Sequence, residues 1–205
     1  MLTNMPQEDR VHIADIDFGS FYVDAFGGSL EASVQFYQAV KASDNNDAKI
    51  ILHQTVRMVW LADQIDNVAA ARPAFQVLFY LTAAELVAKI VSGYEGEGES
   101  KKHVKKFFSE ICESSQKERL EKAFQRVGGA FLPLEGAVDF LYSIRCDVVH
   151  RGLYYAFSLP TTARDIPLLT GPGEDAVIAE ITIAEIRRIV LEGAVLAAKR
   201  IAGIL

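Results

Sequence analysis

The stretch from Ala74 to Val91 leaves this chain few folds to choose from. Pro73, just ahead of it, suits the first turn of a helix, where its missing N–H costs nothing. At about 100° per residue, Phe75, Val77, Leu78, Phe79, Leu81, Leu86, Val87, Ile90 and Val91 point to every side of the helical wheel. A helix that is apolar all round has to be covered all round, so it belongs at the centre of a bundle. Gln76, Glu85 and Lys89 interrupt the run, which therefore reads as a buried helix and not as a membrane span.

The flanking segments supply the rest of a mainly α bundle. Ser29 is placed to cap a helix through about Ala42, and the polar run Ser43 to Asp47 makes a turn and a second N-cap before a helix through Trp60 to about Ala71. The tract Gly93 to Glu99 is an acidic loop, and Ser100 begins a helix with Val104, Phe107, Phe108 and Ile111 on one face and Lys101, Lys102, Lys105 and Lys106 on the other. Ser115 with Glu118 forms a capping-box pattern for a helix that Gly128-Gly129 would close, and Pro133 starts the next one. The segments Leu153 to Leu159 and Ala176 to Ile181 are rich in β-branched and aromatic residues around the turn Gly171-Pro172-Gly173, so a small hairpin or two short strands is expected there. Thr182 with Glu185 is a second capping box, opening a C-terminal helix. Val11 to Phe26 fits neither the helix period nor strict alternation, and short strand or loop is favoured. The expectation is one domain over residues 1–205, with 1–28 an irregular or short-strand N-terminal segment.

Composition narrows the function classes. With 21 Lys+Arg against 27 Asp+Glu, the formal charge is -6, so any nucleic-acid contact depends on a local basic patch. Cys112 and Cys146 are the only cysteines, and their spacing matches neither a disulfide framework nor a metal knuckle. Met1 to Asp9 has no basic region followed by an apolar core, which argues against a secretory signal. These features point to a cytoplasmic protein with reduced thiols. No cofactor, metal or membrane association is expected, and His12, His53 and His103 lack ligand spacing.

The chemically suggestive feature is the end of the Pro133 helix. Leu134, Ala137, Val138, Leu141, Ile144, Val148 and Val149 fall on one side of it, and Glu135, Asp139, Ser143 and Asp147 on the other. Arg145 lands within the apolar side, where a permanent cation requires a carboxylate, a cleft or an anionic ligand. Glu85 is the natural structural partner, being a carboxylate stranded on an otherwise apolar helix. His150 is about 140° around an ideal helix from Arg145, so the two share a site only if the helix frays or turns before Gly152, or if two copies meet across a two-fold axis.

The string Leu141-Tyr142-Ser143-Ile144-Arg145-Cys146-Asp147-Val148-Val149-His150-Arg151-Gly152 resembles the Arg-x4-6-His signature of HEPN domains. The resemblance extends from about Asp47 to Leu205, with its specific residues confined to that motif. It departs from many catalytic members in having Cys146 directly after the arginine, and from the toxin subgroup in having Gly152 where a tyrosine stands. What the resemblance implies is a HEPN-like helical bundle that forms a homodimer. It also implies metal-independent cleavage of RNA, by attack of a ribose 2′-hydroxyl on the adjacent phosphorus, in a cleft shared by both copies. In that reading Arg145 stabilises phosphoryl charge and His150 moves the proton. Asp147 either orients His150 or pairs with Arg151, which is placed to bind substrate.

Plainer readings stand beside this one. Arg145 is satisfied by an ion pair with Glu85, His150 stabilises a helix C-terminus, Cys146 is passive, and the lysine face is simply solvated. The functions to separate are therefore a homodimeric endoribonuclease acting on single-stranded or loop RNA, a non-catalytic module of the same fold binding a nucleotide, an RNA end or a protein partner, and a helical interaction module with no nucleic-acid role. Geometry discriminates among them: catalysis requires Arg145 and His150 to line an accessible groove.

Overall fold

The protein is seen here in a computed structural model that describes residues 17–68, 72–155, 157–160, 168–170 and 176–204. It opens with one turn of helix, α1 (Phe18–Phe21), and a 3-10 turn over Val23–Phe26. This part was expected to be strand or loop, and the structure corrects that for Phe18 to Phe26. Asp17 caps α1 by accepting the Gly19 N–H at 3.0 Å, and Tyr22 is fully buried with its hydroxyl donating to the Leu52 carbonyl at 2.8 Å. Two single turns set at an angle aim the aromatic residues at the core without sustaining either period, so the pattern is invisible in the sequence. Val11 to Ile16 lies outside the described residues.

Next come α2 (Leu30–Ala42), capped by Ser29, and α3 (Asn46–Val68), whose first turn is capped by Asn45 accepting the Ala48 N–H at 3.0 Å. The all-round apolar segment forms α4 (Pro73–Val91) and packs against α3 and the three elements α5 (Ser100–Lys106), α7 (Leu134–Cys146) and α8 (Ile183–Ala202). It is thus the central helix that its composition demanded, though Val91 at its end is 44% exposed. By length and hydropathy α4 would also pass for a membrane span, yet here protein helices cover it. Each fully buried Val or Leu along it, such as Val77 and Leu81, contributes about 1.5–3 kcal/mol of apolar transfer.

Two helices do not stop cleanly. α5 runs into a π turn, Phe107–Ile111, and α7 into another, Asp147–Arg151. Between them lies α6 (Ser114–Glu121), whose capping box is Glu113 with Gln116, two residues earlier than the Ser115 and Glu118 pattern suggests. The C-terminal helix α8 (Ile183–Ala202) begins with the Thr182 and Glu185 capping box as expected, and Gly203 ends it in the left-handed region. α8 is tied to the N-terminal part by Arg187, which donates to Asp63 at 3.0 Å and to Asp24 at 2.5 Å.

A three-stranded antiparallel sheet closes one side. Its strands are β1 (Phe124–Arg126), β2 (Leu168–Thr170) and β3 (Val177–Ala179), in the order β1-β3-β2, with both Phe124 and Leu168 opposite Ala179. A small strand unit before α8 is therefore present, and β3 falls within Ala176 to Ile181 as expected, but its partners differ from the one expected. Leu153 to Leu159 forms no strand among its described residues, although Phe157 and Leu159 are buried. β1 was not anticipated: Gly128 and Gly129 do not close α6 but turn the chain after β1, with the Arg126 N–H reaching Ala130 at 3.1 Å. Gly171-Pro172-Gly173 lies outside the described residues.

Candidate functional site

α7 buries Ala137, Val138, Leu141 and Ile144 against the bundle and carries Arg145 at the edge of that face, its side chain 18% exposed. One guanidinium nitrogen, Nη2, donates to Glu85 Oε2 at 3.2 Å, and Nη1 donates to the Tyr142 hydroxyl at 3.2 Å. The Tyr142 ring also lies beneath the guanidinium, 5.3 Å from its carbon. Arg145 Nε is buried and has no partner. Glu85 is in turn the hub of a small polar cluster, taking the Ser100 hydroxyl at 2.7 Å and the Lys89 ammonium at 2.8 Å on Oε1. One carboxylate thus faces two cations, leaving the cluster a net positive charge and the arginine unspent donors.

Beyond Cys146 the helix widens. The Gly152 N–H reaches back to the Asp147 carbonyl, an i→i+5 bond, and Gly152 caps the turn at φ 65, in the left-handed region that glycine adopts without cost. Such a turn advances each residue by less than the 100° of an α-helix, which narrows the angular gap between Arg145 and His150. No residue of this turn is buried. His150 is exposed and has no hydrogen-bonding partner among the described residues, and the guanidinium hydrogen bonds of Arg145 go to Glu85 and Tyr142 instead. Asp147 is committed to Arg151 at 3.0 Å, the pairing alternative, and does not reach His150.

The lysine face of α5 is not an open phosphate grip. Lys101 pairs with Asp139 at 3.1 Å, Lys102 with Glu99 at 3.0 Å, and Lys105 with both Glu135 at 2.7 Å and Asp139 at 3.0 Å, which zips α5 to α7. The Glu135 hydrogen bond, then that to Asp139, holds the Lys105 ammonium above the ordinary lysine value. Cys112 is buried, its thiol pushed up to about 12 by loss of solvation, so it is not a nucleophile; Cys146 is half-buried. Among the described residues no group of three or more His, Cys, Asp or Glu is placed to hold a metal ion.

Two features escaped the sequence reading. His103 is only 2% exposed, with neither ring nitrogen in a hydrogen bond, the Glu99 carboxylate 4.0 Å from Nε2 and the Tyr94 ring 4.5 Å away. Directly after the π turn, Tyr154 and Tyr155 stand at the surface, Tyr154 leaning on Phe75 at the start of α4 with ring centroids 4.9 Å apart. Only the adjacency of the two tyrosines to His150 was available in the sequence as a signal. Comparison with protein-family models, with curated proteins and with solved structures finds no match.

Proposed function

We propose that the exposed end of α7 is the working edge of a metal-independent endoribonuclease with a HEPN-like bundle, acting as a cytoplasmic homodimer. The observation that carries this reading is the π turn. It places His150 in solvent just past an arginine whose side chain is 18% exposed and whose guanidinium has more donors than its two hydrogen bonds use, and it fully buries none of its own residues, Val148 being half-buried against the core. An imidazole titrates near neutrality and so exchanges protons readily at cellular pH, while a guanidinium fork matches phosphoryl oxygens.

In the reaction, an imidazole removes the proton of a ribose 2′-hydroxyl as that oxygen attacks the adjacent phosphorus. The bond to the 5′-oxygen breaks, and that oxygen leaves with a proton. The products are a 2′,3′-cyclic phosphate and a 5′-hydroxyl. With two copies across a two-fold axis, one His150 serves as base and the other as acid, and the two Arg145 side chains face the charge accumulating on phosphorus-bound oxygens. Arg151, held by Asp147, meets a neighbouring phosphate, and Asp147 is a positioning residue through that pair.

The second reading is a non-catalytic module of the same shape that binds a nucleotide, an RNA end or a protein partner. The engagement of Arg145 with Glu85 and Tyr142 favours it, because an arginine so tied is also explained by structure alone. The separating experiment incubates wild type and His150→Ala with mixed RNA in EDTA, resolves the product ends, and records the sedimentation of both proteins. Cleavage by the wild type alone, with cyclic phosphate ends and a dimeric mass, is expected. Equal cleavage by both, or by neither, removes His150 from catalysis and leaves the binding module.

A further inference from the structure

The chain that leaves the π turn exposes an unusual amount of ring surface. Tyr155 is 68% exposed, Tyr154 37% and Val149, within the turn, 52%. A lone exposed aromatic residue is ordinary, but these belong to a built stack. Phe75 on α4 supports Tyr154 with the rings tilted by 31°, and Tyr155 meets Tyr154 nearly edge-on, at 6.0 Å and 80°. Arg72 lies 5.9 Å from the Tyr154 ring on the same patch. The π turn itself packs on α4, so the platform and the end of α7 share one support.

What such a surface takes is set by its edges. Here the Tyr154 ring is bordered by Arg72, and Arg151 and His150 stand three and four residues before Tyr154 in the chain. Aromatic faces beside cations are the combination that receives a nucleobase and its flanking phosphates. Phe75 and Glu85 are separated on α4 by about 15 Å along the helix axis, so the platform lies within a few nucleotides of the Arg145 that Glu85 anchors. Bases inside a duplex are already stacked and cannot reach it.

We infer that Tyr155, backed by Tyr154 and Phe75, is a stacking site for one unpaired base, which fixes the register of the strand relative to His150. This rests on the ribonuclease reading for its purpose, but its measurement does not depend on cleavage. The probe is a labelled single strand of about 12 nucleotides, as RNA and as DNA, together with the corresponding duplex, titrated by fluorescence anisotropy against His150→Ala protein so that no probe is cut. The parent should bind the single strands at least about tenfold more tightly than the duplex. Adding Tyr155→Ala should weaken single-strand binding about tenfold, whereas Tyr155→Phe, which keeps the ring face, should bind as the parent does. The high exposure of Tyr155 leaves the fold intact on substitution, which an unchanged Tm verifies.

Absence of single-strand binding, duplex binding of equal strength, or equal affinity for Tyr155→Ala and Tyr155→Phe overturns the stacking site. The two readings fail separately. Binding that depends on the Tyr155 ring, in a protein whose wild type cuts nothing, retains the platform and discards catalysis; cleavage indifferent to Tyr155→Ala does the reverse.

Discussion

Among the described residues, two helices end in a π turn, and the two turns differ in what surrounds them. In Phe107–Ile111 the widened turn sends Phe107 and Phe108 fully into the core and Ile111 nearly so, with the two phenyl rings edge-on at 5.2 Å. In Asp147–Arg151 nothing is buried, and two of the side chains displayed are His150 and Arg151. A π turn has poorer hydrogen-bond geometry than the α-helix it interrupts, so something must offset its cost. Aromatic packing does so in the first turn. The second has a smaller return within the monomer, Val148 half-buried against the core, and so its purpose is sought in a ligand or a second copy.

The sharpest way to break that comparison is to remove the packing and see which turn notices. Phe107→Ala should destabilise the protein by about 3–5 kcal/mol, the usual loss for a fully buried phenylalanine. Val149→Ala in the other turn should stay within about 0.5 kcal/mol, since the side chain is mostly in water. Urea unfolding of the two variants measures both. Comparable losses would mean that the second turn is held by packing as firmly as the first, and the functional argument from its exposure would fall.

A smaller effect tests how tightly the first turn is clamped. Gly193 of α8 passes so close to Phe107 that a Cβ there would sit 2.5 Å from the phenyl Cζ. Gly193→Ala gains about 1 kcal/mol of helix propensity but forces apart a ring already pinned by Phe108, an overpacking cost of about 1–3 kcal/mol. The clash should win, leaving a net destabilisation of about 1 kcal/mol. In a Phe107→Leu background the obstacle is gone, and the same alanine should become neutral or stabilising. Equal effects in the two backgrounds would show that the ring yields freely.

The first turn also shows what sequence patterns carry and what they lose. The position of α4 was legible because full-circumference hydrophobicity has one solution in a bundle, and the α8 start was legible because Thr182 and Glu185 form a local device whose chemistry needs no tertiary partner. Of the three-residue strands, β3 was legible in Ala176 to Ile181, but β1 was not, since it is completed only by pairing with β3 about fifty residues further along the chain, and β2 is too short to carry a period of its own. Glu85 stood out as Arg145's partner because both are charges on apolar faces, and the structure brings them together. The phase of His150 was not legible, because helix arithmetic assumes 100° per residue and the π turn breaks that assumption. His103 and the Tyr154 platform escaped for another reason: their meaning lies in Tyr94 and Phe75, which only the folded chain places beside them.

The smallest effect separates the histidines that flank this comparison. His103 sits one turn ahead of Phe107 and shares the burial of the first turn, and its value is lowered by lost solvation, with the Lys89 ammonium adding to the effect. The unfolded chain takes up the proton at the ordinary imidazole value, while the folded protein resists it to a lower pH. Between those two values the unfolded state binds more protons, so this contribution is intact above about pH 6.5 and is lost as pH falls below it. His53, lowered by burial and then by Arg57 and Lys41, acts in the same direction. The urea midpoint should therefore decline between about pH 7.5 and pH 5.5, and His103→Phe, which keeps a ring against Tyr94, should lessen the decline. An NMR titration should show the His103 ring protonating below the ordinary value. A normal titration there, or an undiminished decline in the variant, would mean that water reaches the ring and that the first turn is less sealed than the second is open.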